Sequence, residues 1–501
     1  MATRRHLLTR GMALAGSVAW SLGQIRGTLA VPSQFDFYVS PNGSDANPGT
    51  QSLPWAITSI NTRSSQIAGK SVGLMDGIYR MPSTGTPNDG SWIRVAANGT
   101  PSQPTVIGAV NPLRATITGN TAGRYPQTPT YLLRVVGSNV RIENLRFFDH
   151  SGAGVSICAT NTVVDSCSFS DFDFGRIANQ RHDNFGAIRT GTGGEPTAVD
   201  CVVRNCLIEN MKNVGFDGTV QSRGEGIGPC FDVSGITVEY CTIVNVFSAL
   251  WMKRNAGNYV FRNNLIINAH IAMQEFELAD NTRADNDRIY ADRPSLMNNN
   301  IFTNINSLWG RNGEIGQNWQ AAYVYNNTFV FGSQFYGSVH SAFNWYRGEQ
   351  PIGVEPSRTS KVYNNIFTFN DKAGQSTDPV ANFQNGLAGP RGMMLVHDYN
   401  AYQSFAMTDV SLNVAYRDIA SWRAATGLDT HSIVGNPGLT DVNSANPSSL
   451  RLAPGSICKN SGRVDGLPSG APTDTGAWGG GATKIGSDLQ YFRPNGPIVG
   501  P

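Results

Sequence analysis

The chain has 501 residues, 15% of them charged and 40% hydrophobic, with 55 glycines. A net charge of +2 supplies no basic field to gather phosphates, which argues against a nucleic-acid partner. Beyond the first thirty residues no stretch stays apolar for the ~20 residues of a membrane span. Low charge with abundant glycine is a turn-rich, all-β composition. Length sets no domain count here, because solenoids grow in one dimension.

Residues 1–30 read as a signal peptide. Arg4 and Arg5 precede Leu7 and Leu8, an apolar stretch runs from Gly11 to Leu22, and Thr28-Leu29-Ala30 supplies a cleavage site. The order Thr3-Arg4-Arg5-His6-Leu7-Leu8 resembles a twin-arginine signal, with an ordinary secretory signal as the alternative. Either places the mature chain in the periplasm or outside the cell, without a membrane span.

From Val140 onward one pattern recurs: alternating apolar residues, a marker residue three positions on, then a bulky apolar residue two further. It is spelled VRIENLRF at Val140, TVVDSCSF at Thr162, CVVRNCLI at Cys201 and ITVEYCTI at Ile236. It returns as YVFRNNLI at Tyr259, SLMNNNIF at Ser295, AYVYNNTF at Ala322 and SKVYNNIF at Ser360. The marker falls at Leu145, Cys167, Cys206, Cys241, Asn264, Asn300, Asn327 and Asn365. Variable spacing above a constant minimum means a fixed rung plus loops of differing length. A short strand cannot bury its apolar face alone, whereas stacked rungs can. The pattern therefore predicts an all-β, single-stranded right-handed parallel β-helix over 37–480, with a C-terminal tail at 481–501. In-register stacking at ~4.8 Å would let the asparagines run amide hydrogen bonds along the axis. Cys167, Cys206 and Cys241 continue the same marker column as small apolar fillers. The count of seven cysteines is odd and no zinc spacing occurs, so mostly free, buried thiols are expected.

Where markers lie more than ~30 residues apart, the excess falls in Asp171–Pro196, Met211–Ser234, Glu275–Pro294 and Gly332–Thr359. Insertions from neighbouring rungs tend to lie over one face and wall a groove there. Counting from Asn210, Asn245, Asn268 and Asn304, the next strand brings Asp217, then Trp251 with Lys253 and Arg254, then Gln274 with Glu275, then Trp309 with Arg311, into one predicted axial stripe. Trp345 and Arg347 extend it. His182 and Asp183, bracketed by Arg181 and Arg189, add an imidazole with a carboxylate beside it. Indoles stack on the apolar face of a pyranose while charged groups orient it, so the stripe reads as a carbohydrate track.

Two chemistries can use such a track. In β-elimination a cation neutralises a uronate carboxylate and a base removes the C5 proton. Lys253 is the candidate base, with Arg254 and Arg311 as carboxylate partners because the guanidinium fork matches a carboxylate. In hydrolysis two carboxylates flank the glycosidic bond, and Asp217, Glu275 and Glu277 are the available acids. A non-catalytic glycan-binding surface is the third reading.

The entry segment FYVSPNGSDANPGT at Phe37, with VGLMDGIYR at Val72, resembles the start of the right-handed parallel β-helix repeat proteins of the pectate-lyase-like superfamily. HDYNAYQS at His397, HSIVGNPGLTD at His431, LRLAPGS at Leu450 and DTGAWG at Asp474 are similar to their closing rungs. The resemblance implies the fold and a range of activities, from polysaccharide lyases to glycoside hydrolases, epimerases and proteins without known activity; its lyases, which act on acidic polysaccharides, employ a Lys or Arg base, which Lys253 would supply. It also raises calcium as a cofactor, although no compact aspartate set stands on adjoining strands here. Asp285-Asn286-Asp287 lacks the glycine and terminal glutamate of an EF-hand loop and reads better as a solvated loop.

Overall fold

A strand with one apolar side buries it only against neighbours of the same kind, and here the neighbours come from successive turns of the chain. The computed structural model describes residues 34–82, 90–119, 131–174, 186–191, 198–212, 224–230, 233–253, 258–276, 295–305, 307–311, 322–332, 343–344, 360–369, 395–405, 407–409, 414–442, 446–463, 474–478 and 484–488. One sheet has twelve strands, from Phe37–Val39 to Leu395–Asp398, and their spatial order is their sequence order. A second sheet collects the other strands of each turn, and its ladders are also parallel. Parallel strands joined by right-handed crossovers make a single-stranded right-handed parallel β-helix. Among the described residues the antiparallel strand pair is Met407–Asp409 with Val414–Tyr416.

Register turns the alternating pattern into continuous columns. Ile107, Ile142, Val164, Val203, Val238, Phe261, Met297, Val324 and Val362 are successive partners, each at most 1% exposed. Each such side chain contributes roughly 1.5–3 kcal/mol on burial. A parallel column of rings runs Phe302, Phe329, Phe367, Tyr402, with centroids 4.9, 5.2 and 5.2 Å apart.

The double asparagines divide their work. The first of each pair makes the corner: Asn263, Asn299, Asn326 and Asn364 have φ of 56, 57, 53 and 57°, a left-handed conformation that asparagine tolerates better than most residues. The second points inside and carries the expected ladder. Asn264, Asn300, Asn327 and Asn365 each donate from Nδ2 to the Oδ1 of the next, ending on Asn400, at 2.9–3.1 Å. Each of those acceptors also takes the backbone N–H of the preceding asparagine. A second ladder links Asn304, Asn268, Asn245, Asn210 and Asp171 along another corner. Cys167, Cys206 and Cys241 extend the inner column, their thiols donating to backbone carbonyls, and all seven cysteines are free and buried.

The C-terminal end is closed by a helix, Ile419–Thr426, started by Asp418 accepting from the Ser421 N–H and stopped by left-handed Gly427. Beneath it Asp429 is fully buried. Its carboxylate accepts from Trp422, Tyr402 and Ser432, and a His397 ring nitrogen lies 2.5 Å away. The segments LRLAPGS and DTGAWG are not further rungs. After Leu450 the chain runs back along the corner: Arg463 and Gly476 bond to Asn364, Ala477 to Asn299, Gly486 to Asn263 and Ser487 to Asn205. This strap places Leu450, Ala477 and Ile485 over Leu265, Ile301 and Val330.

Candidate functional site

Strand register decides which of the predicted site positions meet. Thr242–Lys253 pairs with Leu265–Phe276, which pairs with Ser307–Arg311. Trp251 stands beside Gln274 and then Gly310; Met252 stands beside Glu275 and then Arg311; Lys253 stands beside Phe276. Trp309 is the partner of Met273, itself the partner of Leu250, and these two are fully buried core residues.

The single stripe therefore resolves into adjacent columns. Glu275 and Arg311 share one, as do Trp251 and Gln274, but Trp309 falls one position short of Trp251. Strand faces alternate with a period of two, so one residue of offset moves a position to the other side. Counted from the corner asparagine, Trp309 is the fifth residue and Trp251 the sixth; they were expected together and are not. Trp251 is 2% exposed, so its indole is packed rather than laid open. Asp217, Arg254, Trp345, Arg347, His182 and Asp183 lie outside the described residues. Of the four segments expected as insertions, three contain strands of the coil: Gly186–Thr190, Glu225–Cys230 and Phe343–Asn344.

Those strands expose a feature that the marker alignment missed. Arg94 is the register partner of Arg134, Arg134 of Ser156, and Ser156 of Arg189. The flanking positions Ile93, Leu133, Val155 and Ile188, and Val95, Val135 and Ile157, are buried in the core, whereas Arg94 and Arg189 keep partial exposure. The guanidinium carbons of Arg134 and Arg189 lie 5.4 and 5.8 Å from the centre of the Tyr131 ring, a cation–π arrangement that both arginines make with one ring. The signal was present as Ile-Arg-Val at 93–95, Leu-Arg-Val at 133–135 and Ile-Arg-Thr at 188–190.

Beyond Arg189 the column meets an irregularity between Ile227 and Cys230, then Trp251. Gly228 has φ of 133°, and a Cβ there would stand 2.6 Å from the Trp251 carbonyl oxygen and 2.8 Å from its Cβ. Only glycine fits that approach. Arg94, Arg134, Arg189, Trp251 and Gln274 thus follow one another along the axis, with Arg134 and Trp251 buried. Among the described residues no group of three or more His, Cys, Asp or Glu side chains could hold a metal ion.

The opposite sheet uses charge differently. Glu143, Asp165, Arg204, Glu239 and Arg262 are successive register partners. They are tied by ion pairs of 2.7 Å from Arg141 to Glu143, Arg204 to Asp165 and Arg262 to Glu239. Burial first, and Asp165 alongside, raise the Glu143 carboxyl above its ordinary pKa despite Arg141 and Arg204. Mutually satisfied pairs of this kind support the stack.

Fold and columns together define a β-helix with a cationic, aromatic line along one sheet. Among solved structures of this architecture, the chain is similar to pectate lyase Pel9A, with 16% identity, 88% of this chain and 95% of that chain covered, and a TM-score of 0.46. It is similar to a rhamnogalacturonan lyase at 14% identity, 73% and 87% coverage and TM-score 0.43. A PL6 family polysaccharide lyase from Pseudopedobacter saltans aligns at 11% identity, 75% and 89% coverage and TM-score 0.37. No protein-family profile matches the sequence, and no curated protein matches it. Likeness at this level concerns the coil, and a shared coil does not carry an activity with it.

Proposed function

We propose that the protein is an exported polysaccharide lyase that cleaves a uronate-containing polysaccharide by β-elimination. The observation that carries this reading is the register column of Arg94, Arg134 and Arg189, the last two set against the Tyr131 ring, leading to Trp251 and Gln274. Guanidinium groups pair with uronate carboxylates and withdraw charge from them, which lowers the barrier to removing the C5 proton. Lys253 follows Trp251 by two residues and so belongs to the same side of its strand; its neutral amine would take that proton. The C5–H electron pair becomes the C4–C5 double bond as the C4–O bond breaks, and the leaving oxygen is protonated. Glu275 and Arg311 share the column of Met252, one residue removed from Trp251 and Lys253, and so take no part on the side of the base. Export by the leader brings the enzyme to a polymer too large to enter the cell.

The test is incubation of the purified protein with pectate, alginate and glucuronan while following ultraviolet absorbance from new C4–C5 double bonds. Growth of that absorbance with one polymer is the expected result. New reducing ends without it would assign hydrolysis instead, and binding with neither would assign a glycan-binding role. Arg189→Gln should weaken substrate use about tenfold or more, the cost of one charged hydrogen bond.

A further inference from the structure

Six of the seven cysteines gather in two places inside the coil. Cys167, Cys206 and Cys241 occupy one column in consecutive turns, each thiol donating to a backbone carbonyl of the preceding turn. Cys201 donates to the Ala159 carbonyl beside Cys158, and the register column of Ile157, next to Cys158, runs through Thr190 to Cys230. All are 0% exposed, as is Cys458. In the folded chain these thiols are inert. Burial pushes Cys201, Cys230 and Cys458 up to about 12, and raises Cys167 and Cys206 as well, so almost no thiolate exists to attack an oxidant or a disulfide.

The unfolded chain is the reverse case. Its seven thiols would titrate near ~8.5 and stand open to any disulfide-forming catalyst. Three cysteines at equivalent positions of successive turns are interchangeable partners, so oxidation before folding would join turns in wrong combinations. It would also remove the thiol donors that now meet the carbonyls of Ile142, Val164 and Val203. The periplasm and the cell exterior are oxidising; the cytoplasm is not.

We propose that this chain completes its coil in the reducing cytoplasm, with all seven thiols free, and is exported already folded, the Arg4-Arg5 leader being the signal that selects that route. The burial of every thiol then protects the protein after arrival, and no structural disulfide forms. This rests on the export reading of residues 1–30, and the two are separable: absence from the exported fraction removes both, whereas export with disulfides removes only this inference.

The experiment expresses the full chain with its own leader, recovers the exported protein and titrates thiols with a colourless-to-coloured disulfide reagent before and after denaturation. The expected counts are zero in the native protein and seven in the denatured one. Arg4→Lys with Arg5→Lys, which leaves the mature chain untouched, should abolish export while cytoplasmic protein keeps its fold. Exchanging residues 1–30 for a leader that threads unfolded chains should deliver cross-linked, misfolded protein, rescued by reductant in the medium. Fewer than seven thiols after native export, undiminished export of the double lysine variant, or a native seven-thiol coil delivered by the threading leader would each overturn the proposal.

Discussion

Asn327→Ala is the sharpest probe of what holds the turns together. Asn327 is fully buried, and its Oδ1 accepts from both the backbone N–H and the Nδ2 of Asn300, at 3.0 and 2.9 Å. Its Nδ2 donates to the Met297 and Tyr325 carbonyls and to Asn365 Oδ1, at 2.9, 3.1 and 3.0 Å. Truncation orphans the Asn300 N–H and one of its amide hydrogens outright, and it strips the Met297 carbonyl of its side-chain donor. At about 1–3 kcal/mol for each buried group left unpaired, the loss should be about 3–5 kcal/mol once some relaxation is allowed. Asn327→Cys should cost less than Asn327→Leu, because the same column already accepts thiols that donate to carbonyls at Cys206 and Cys241. Urea denaturation followed by circular dichroism and by tryptophan fluorescence measures both. A midpoint for Asn327→Ala within about 1 kcal/mol of the parent protein would refute the ladder as a principal source of stability.

Three further outcomes follow from the geometry. Gly228→Ala forces a side chain into a left-handed position against the Trp251 backbone, so it should cost about 2 kcal/mol or more, visible as a lowered melting temperature together with reduced turnover. Lys253→Ala should abolish the rise of unsaturated product while circular dichroism is unchanged; undiminished turnover would remove Lys253 from the role of base. Burial alone would push the Asp398 carboxyl up, but hydrogen bonds from the His431 ring and backbone, the Tyr399 N–H and the Thr430 hydroxyl outweigh it and hold its pKa below the ordinary value. A depressed carboxyl stabilises the fold above its unfolded pKa and loses that contribution as pH falls through the folded one. Asp398→Asn should therefore be less stable than the parent at neutral pH and equal to it in strong acid; a gap that persists there would contradict the assignment.

The coil was legible because its cause is local. Alternating Val, Ile and Phe around a fixed marker can be buried only by stacking, and the marker column at Asn264, Asn300, Asn327 and Asn365 forms the expected ladder. The strap was not legible, because Gly476 and Ile485 carry no periodic pattern; their places depend on contacts with turns far away in sequence. The candidate site was legible in residue type and not in register. Trp251 with Gln274, and Glu275 with Arg311, are true neighbours, yet Trp309 is one residue nearer its corner asparagine than Trp251 and so falls beside Met273 and Leu250. The arginine column escaped because the strands Ser91–Val95 and Tyr131–Val135 precede the first marker rung, while Gly186–Thr190 sits in a segment whose length marked it as a loop.

The returning strap makes the coil behave unlike a free-ended array of repeats. Ser487 bonds to Asn205 across 282 residues of sequence, and Lys484 reaches the same asparagine. Synthesis must reach Ile485 before the middle turns receive their outer cover, since Leu265 and Ile301 pack against it. Entanglement of late chain with early chain of this kind slows completion, because loop closure must come before the contact rewards it. Once closed, it ties the loss of any middle turn to the release of the chain end.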